Sequence, residues 1–142
     1  MAEKGPVIAA LNGGICDKVV LDIAHGQAVA HDRQLVLVNV IEVGWDKALE
    51  ESEYDALTNS EEILDKAVRL LRKKSRVEQS SECIQARSAG GALVELSSHI
   101  EASLLVVGTR RYVGDTTVEM GSTPNYVIRY AQCPVLLWHS AA

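Results

Sequence analysis

The chain has 142 residues, the usual size of one domain, and is long enough to bury a sizeable core without disulfides or metals. Hydrophobic residues at 47% and charged residues at 23% exclude a disordered chain. Fourteen basic against nineteen acidic side chains leave a formal charge of −5, which works against nonspecific binding to nucleic acid or to an anionic membrane.

Val7 to Leu11 is a short apolar run closed by Asn12-Gly13-Gly14, which reads as a buried strand entering a tight turn. Asp17 opens a helical pattern with Val20, Ile23, Ala24, Gln27 and His31 on one stripe, and Gly26 lowers its propensity. Gln34 to Ile41 is continuous, apolar and rich in β-branched residues, as expected of a strand covered on both faces. Residues 42–57 are mixed and acidic, with Trp45 and Tyr54 as candidates to pack a connecting loop. Thr58, Asn59 or Ser60 is placed to cap the next helix, with Glu61 and Glu62 favourable in its first turn. Ile63, Leu64, Ala67, Leu70 and Leu71 form its apolar stripe. Arg72, Lys73, Lys74 and Arg76 end it, and read as a solvated terminus that suits the helix dipole. Ser81 to Arg87 is a strand candidate. Ala92 to Glu101 reads as a helix with Leu93, Leu96 and Ile100 inward, and Leu104 to Val107 as a compact strand. Gly108 to Ser122 is a glycine-punctuated loop, Thr123 to Ala131 a short helix with Pro124 near its start, and Cys133 to Trp138 a last strand.

Alternating strands and amphipathic helices predict an α/β fold: a single open five-stranded parallel sheet with helices on both faces and right-handed crossovers. No internal repeat or linker divides the chain, so residues 1–142 read as one domain. Three widely spaced cysteines, Cys16, Cys83 and Cys133, form neither a disulfide framework nor a zinc pair. They point to a reducing, cytoplasmic compartment. The N-terminal residues lack the apolar run of a secretory signal, and no stretch is long enough to insert in a membrane. His25, His31, His99 and His139 have no metal-ligand spacing, and the common hydrolase motifs are absent.

In an open parallel sheet, ligands bind beyond the carboxyl ends of the strands where the strand order reverses. Two such ends are glycine-rich here: Asn12-Gly13-Gly14, and Gly108 to Gly114 continuing to Gly121-Ser122 at a helix start. A glycine loop leading into a helix N-terminus offers backbone N–H groups and a positive dipole end to a phosphate. Gly108, Gly121 and Ser122 read either as ligand contacts or as a strand-end turn and a helix cap.

The segment LLVVGTRRYVGDTTVEMGSTPNYVIRYAQCPVLLW resembles the C-terminal part of universal stress proteins, whose fold is of the adenine nucleotide alpha hydrolase-like type. Nucleotide-binding members carry Gly, two residues, Gly, nine residues, then Gly-Ser or Gly-Thr. Gly108, Arg111, Gly121 and Ser122 fall at those spacings, with Arg111 replacing the second glycine, and Gly114 matches a glycine frequent in the family loop. Asn12 stands where the family has an acidic residue that contacts nucleotide, and Val40 where it packs the adenine. The resemblance implies a regulatory module that binds ATP or another adenine nucleotide through Asn12, Val40, Gly108, Arg111, Gly114, Gly121, Ser122 and Thr123. Magnesium would enter only with nucleotide, and little or no catalysis is implied. It also implies a homodimer through the C-terminal edge strand, Pro134, Val135, Leu136, Leu137 and Trp138. The alternatives are a member that has lost nucleotide and acts through protein contacts, and a regulatory domain of a larger transporter.

Overall fold

A strand buried on both faces has no polar side to show, so its side chains divide between two cores by simple alternation. The first strand, β1 (Val7–Ala10), does this: Val7 and Ala9 enter one core, Ile8 the other. The second, β2 (Leu35–Glu42), repeats it, with Leu35 and Leu37 on one side and Val36 and Val38 on the other. The computed structural model describes residues 4–49, 53–110, 112–113, 118–119 and 121–140.

Between these strands runs α1 (Asp17–His31), followed after β2 by α2 (Tyr54–Leu71), β3 (Gln79–Ala86), α3 (Ala89–His99) and β4 (Leu104–Arg110). A small antiparallel hairpin, β5 (Tyr112–Val113) with β6 (Val118–Glu119), precedes α4 (Ser122–Tyr130) and β7 (Val135–Ser140). The five main strands pair in parallel in the order β3-β2-β1-β4-β7, so the expected fold class is correct. The first core joins α1 and α2 to one sheet face around Leu21, Leu37, Leu64 and Val106. The second joins α3 and α4 to the other face around Ile8, Leu93, Leu105 and Val127.

Several boundaries differ from expectation, each for a physical reason. Helix α2 starts at Tyr54, ahead of the polar Thr58-Asn59-Ser60 cluster. Ser60 is no cap but a buried residue inside the helix, donating to Cys83 Sγ at 3.0 Å. Trp45 and Tyr54 do not pack the connection; they are 84% and 81% exposed. The connection is held instead by Arg87, whose Nη1 donates to the carbonyls of Val43, Gly44 and Lys47 while its guanidinium lies 4.8 Å from the Trp45 ring centre. The buried stripe of α1 is Val20, Leu21, Ala24, His25 and Ala28; of the expected set Val20 and Ala24 are buried and Ile23 packs against the core, whereas Gln27 and His31 are not buried. His25 tolerates burial because its Nε2 meets the Ser75 carbonyl at 2.6 Å. Strand β4 runs on to Arg110 because β7 continues beside it, pairing Gly108 with Trp138 and Arg110 with Ser140. The expected cationic end of α2 is solvated, with Lys74 pairing Asp22 at 2.8 Å.

Candidate functional site

The chain leaves β1 towards β2 and β3 on one side, then returns to build β4 and β7 on the other. The switch point therefore falls between β1 and β4, where the loops that follow diverge and leave a crevice. A cleft of about 190 Å³ opens there, walled by Asn12 and Gly14 after β1, Val38 and Val40 of β2, Ala89 and Leu93 of α3, Gly108 of β4, and Gly121 to Pro124 at α4.

Three helices begin at this cleft: Asp17, Ala89 and Ser122 all line it. Their positive dipole ends are the natural seat for an anion. Of the three, only α3 has a side-chain cap. At α3, Ser88 Oγ accepts from Gly91 N at 3.1 Å and Glu42 Oε2 accepts from Ala89 N at 3.4 Å. At α1, Asp17 occupies the first turn. Helix α4 is different: Gly121 stands at its N-cap, its first turn carries no acid, and no described side chain caps it. Pro124 has no N–H and the Asn125 N–H is taken by the Gly121 carbonyl at 3.2 Å, so among the described residues the amides of Gly121, Ser122 and Thr123 are the α4 donors with no acceptor shown.

The turn after β1 is closed on itself. Asp17 points its carboxylate back at it, with Oδ1 accepting from Asn12 N at 3.0 Å and Oδ2 from Gly13 N at 2.8 Å. Asn12 Oδ1 in turn accepts from Gly14 N at 2.8 Å. Burial raises the Asp17 pKa; the two backbone N–H groups and nearby Lys66 oppose that without cancelling it. Below the turn, the buried Asn39 donates its Nδ2 to the Leu11 carbonyl at 2.8 Å and ties the ends of β1 and β2 together.

Of the residues expected at the site, Asn12, Val40, Gly108, Gly121, Ser122 and Thr123 line one cleft. Arg111 and Gly114 lie outside the described residues. Val40 both faces the cleft and packs against the second core, so its two readings are compatible. Gly108 is not a strand-end turn. It sits inside β4, where an added Cβ would lie 2.6 Å from Cys16 Cβ and 2.9 Å from Val20 Cγ2. The need there is for close packing of α1 on β4, not for an unusual backbone angle.

Sequence reasoning missed Asp17 and Asn39. An acid at a helix start is so common that Asp17 read only as the residue that opens the helix. Asn39, the lone amide in an otherwise apolar strand, was the available signal for a buried tether. The histidines take no part: His25 is spent on Ser75, and no group of three metal-ligating side chains exists among the described residues. Cys16 is buried beneath Gly108. Burial pushes the Cys133 thiol up, away from reactivity.

A larger concavity of about 610 Å³ lies at the other end of the sheet, lined by Gln27, His31, Arg33, Ser97, Glu101 and Cys133 among others. It gathers the C-terminal ends of α1 and α3, whose dipoles repel anions.

The profile of the Universal stress protein family matches residues 5–139, and the chain belongs to that family. No curated protein matches it significantly. Among solved structures, a universal stress protein from Archaeoglobus fulgidus is similar at TM-score 0.79 and 20% identity, covering 94% of this chain and 97% of that one. A universal stress protein in complex with cAMP matches at TM-score 0.76 and 24% identity over 96% and 98% of the two chains. A universal stress protein of Archaeoglobus fulgidus in complex with dAMP matches at 0.74 and 19%, over 94% and 96%. At these identities the likeness establishes the fold.

Proposed function

We propose that this chain is a regulatory module that holds an adenine nucleotide between the β1 and β4 ends. The observation that carries the reading is the α4 N-terminus, which no described side chain caps and which opens into the same cleft as Val40 and Asn12. The base packs on Val40, and the Asn12 side chain contacts the nucleoside. The phosphate takes the amides of Gly121, Ser122 and Thr123 beside the tight backbone of Gly108. Arg111 and Gly114 contribute from the loop after β4, Arg111 pairing its guanidinium with the anion where nucleotide-binding relatives hold a glycine. Magnesium accompanies nucleotide only. The cAMP and dAMP complexes of structural relatives support the ligand class. Occupancy alters contacts with a partner rather than driving turnover. Cysteines outside any disulfide suit a cytoplasmic setting, and no described helix is long and apolar enough to cross a membrane.

Calorimetric titration with AMP, cAMP and ATP tests the reading. Saturable heat and a rise in melting temperature are expected. No heat and no thermal shift at millimolar ligand overturns it. The second reading, a member acting through protein contacts alone, is favoured by the turn after β1, whose amides are already used. An Arg111→Gly variant that gains nucleotide affinity absent from the wild type would support it.

Dimerisation through β7 belongs to the same proposal. The sheet has two edges, and they differ in character. Strand β3 shows solvent Gln79, Ser80, Ser81 and Glu82, whereas β7 is Val135, Leu136, Leu137 and Trp138 behind Pro134. An apolar edge pairs more readily than a polar one. A two-fold contact edge to edge is expected by sedimentation equilibrium, and a monomer at high concentration refutes it.

A further inference from the structure

We propose that the exposed corner built by Trp45, Leu49, Tyr54 and Leu57 docks a protein partner that presents a cationic amphipathic helix. The inference does not rest on the nucleotide reading, since none of these residues lines the switch-point cleft. Among the described residues nine large apolar or aromatic side chains are exposed, and four of them fall in the β2–α2 connection and the first turn of α2. Single exposed apolar residues are ordinary on a protein surface, whereas a cluster marks a contact site. Trp45 and Tyr54 are the residue types that most often anchor such contacts.

The corner is held in place by its neighbours. Val43 N donates to the Ala86 carbonyl at 2.8 Å, extending the β2–β3 pairing, and Lys47 N donates to the Gly44 carbonyl at 3.1 Å. Arg87 Nη1 donates to the carbonyls of Val43, Gly44 and Lys47, and its guanidinium faces the Trp45 ring. Lys47 Nζ reaches Glu53 Oε1 at 2.8 Å and ties the connection to the start of α2. Tyr54 and Leu57 stand three residues apart, on one face of that helix. A surface fixed beforehand loses less entropy when a partner arrives.

Charge selects the partner. Residues 42–57 hold six acidic side chains against Lys47 alone, a net −5 that equals the charge of the whole chain, so the remainder is balanced. Four of the six, Glu42, Asp46, Glu53 and Asp55, lie among the described residues, and all four are exposed. The nearby cations are engaged, Lys47 with Glu53 and Arg87 with the three carbonyls and the ring. Such a corner repels a second copy of itself, an anionic membrane and nucleic acid. It attracts lysines and arginines that flank an apolar stripe, the arrangement an amphipathic helix presents.

The probe is a synthetic lysine–leucine peptide of about 18 residues with its leucines at helical spacing, titrated by calorimetry without nucleotide. Two controls share its length: a scrambled peptide of the same composition, and one with glutamate in place of lysine. The helical lysine peptide is expected to bind with a dissociation constant below about 100 μM, at least about tenfold more tightly than either control. Trp45→Ser with Tyr54→Ser should weaken it at least about tenfold, as loss of aromatic anchors does. Asp46→Asn with Asp55→Asn should weaken it about fivefold and flatten its dependence on salt. All four side chains are exposed, so both double variants keep the wild-type melting temperature to within a few degrees. Equal binding of the scrambled or the glutamate peptide, unchanged affinity in either double variant, or no binding of the lysine peptide overturns the proposal. So does self-association that the serine pair abolishes, which would make a second copy the occupant. Nucleotide binding is read in a separate titration and stands or falls apart from this result.

Discussion

Gly108→Ala isolates the packing that sets the floor of the cleft. The new methyl carbon would lie 2.6 Å from Cys16 Cβ, 2.9 Å from Val20 Cγ2 and 3.4 Å from Cys16 Sγ. Carbon atoms in contact prefer about 3.5–4.0 Å, so the intrusion is of order 1 Å. Val20 is β-branched and stiff in a helix, and Cys16 Cβ is fixed to the backbone, so neither yields by a rotamer change. The first turn of α1 must move off β4. Overpacking of this kind costs about 1–3 kcal/mol. Restricting the unfolded chain returns about 0.4–1 kcal/mol, because only Gly13 among the described glycines has a positive φ and alanine fits the backbone at 108. The steric cost wins, and a net loss of about 1–2 kcal/mol is expected, a fall of roughly 3–8 °C in melting temperature. Urea unfolding followed by circular dichroism reads it directly. In a Val20→Ala background, where Cγ2 is gone, Gly108→Ala should cost at least about 0.5 kcal/mol less. A variant as stable as the wild type, or additive behaviour in the double mutant, would refute the claim that helix–strand contact is what demands glycine.

Asn39→Ala leaves the Leu11 carbonyl without its side-chain donor in a buried setting and should cost about 1–3 kcal/mol in urea unfolding with an unchanged slope. Arg87→Ala removes the clasp on Val43, Gly44 and Lys47; faster hydrogen exchange in residues 43–47 and altered emission from Trp45 are expected, and Arg87→Lys should not restore them because an ammonium lacks the planar stacking face. The raised pKa of Asp17 gives a signed prediction for stability. The folded state holds the Asp17 proton to higher pH than the unfolded chain does, so the wild type gains on Asp17→Asn as pH falls from neutrality through the folded value towards the ordinary 3.8, and loses again as pH rises. A wild-type advantage that shrinks on acidification would contradict the assigned direction.

How legible each part was follows from how strongly its surroundings constrain it. Strands β1, β2 and β4 are buried on both faces, so their apolar runs announce them. Strand β3 is an edge with Gln79 to Cys83 in solvent, and its sequence carries little more than a hint. Helix α1 has the expected bounds but a partly different buried face, because His25 enters the core once Ser75 accepts its ring nitrogen, a contact 50 residues away. The start of α2 was misread because Ser60 resembles a cap residue, and its real partner is Cys83 on β3. At the site, the glycine spacing names Gly108, Gly121 and Ser122, which line one cleft with Asn12, but it does not name the packing that Gly108 makes. Its neighbour is α1, which no local pattern names.

The fold supplies three helix N-termini at one end of its sheet, and this chain treats them unequally. Glu42 and Ser88 accept from α3 amides, Asp17 sits in the first turn of α1 with its carboxylate turned back onto Asn12 and Gly13, and α4 is left to Gly121. The inequality has a chemical consequence. An anion entering the cleft is drawn by three dipoles and meets a carboxylate beside two of them, Asp17 at α1 and Glu42 at α3. On the proposed reading, that bias favours the α4 end for the phosphate, beside Gly108.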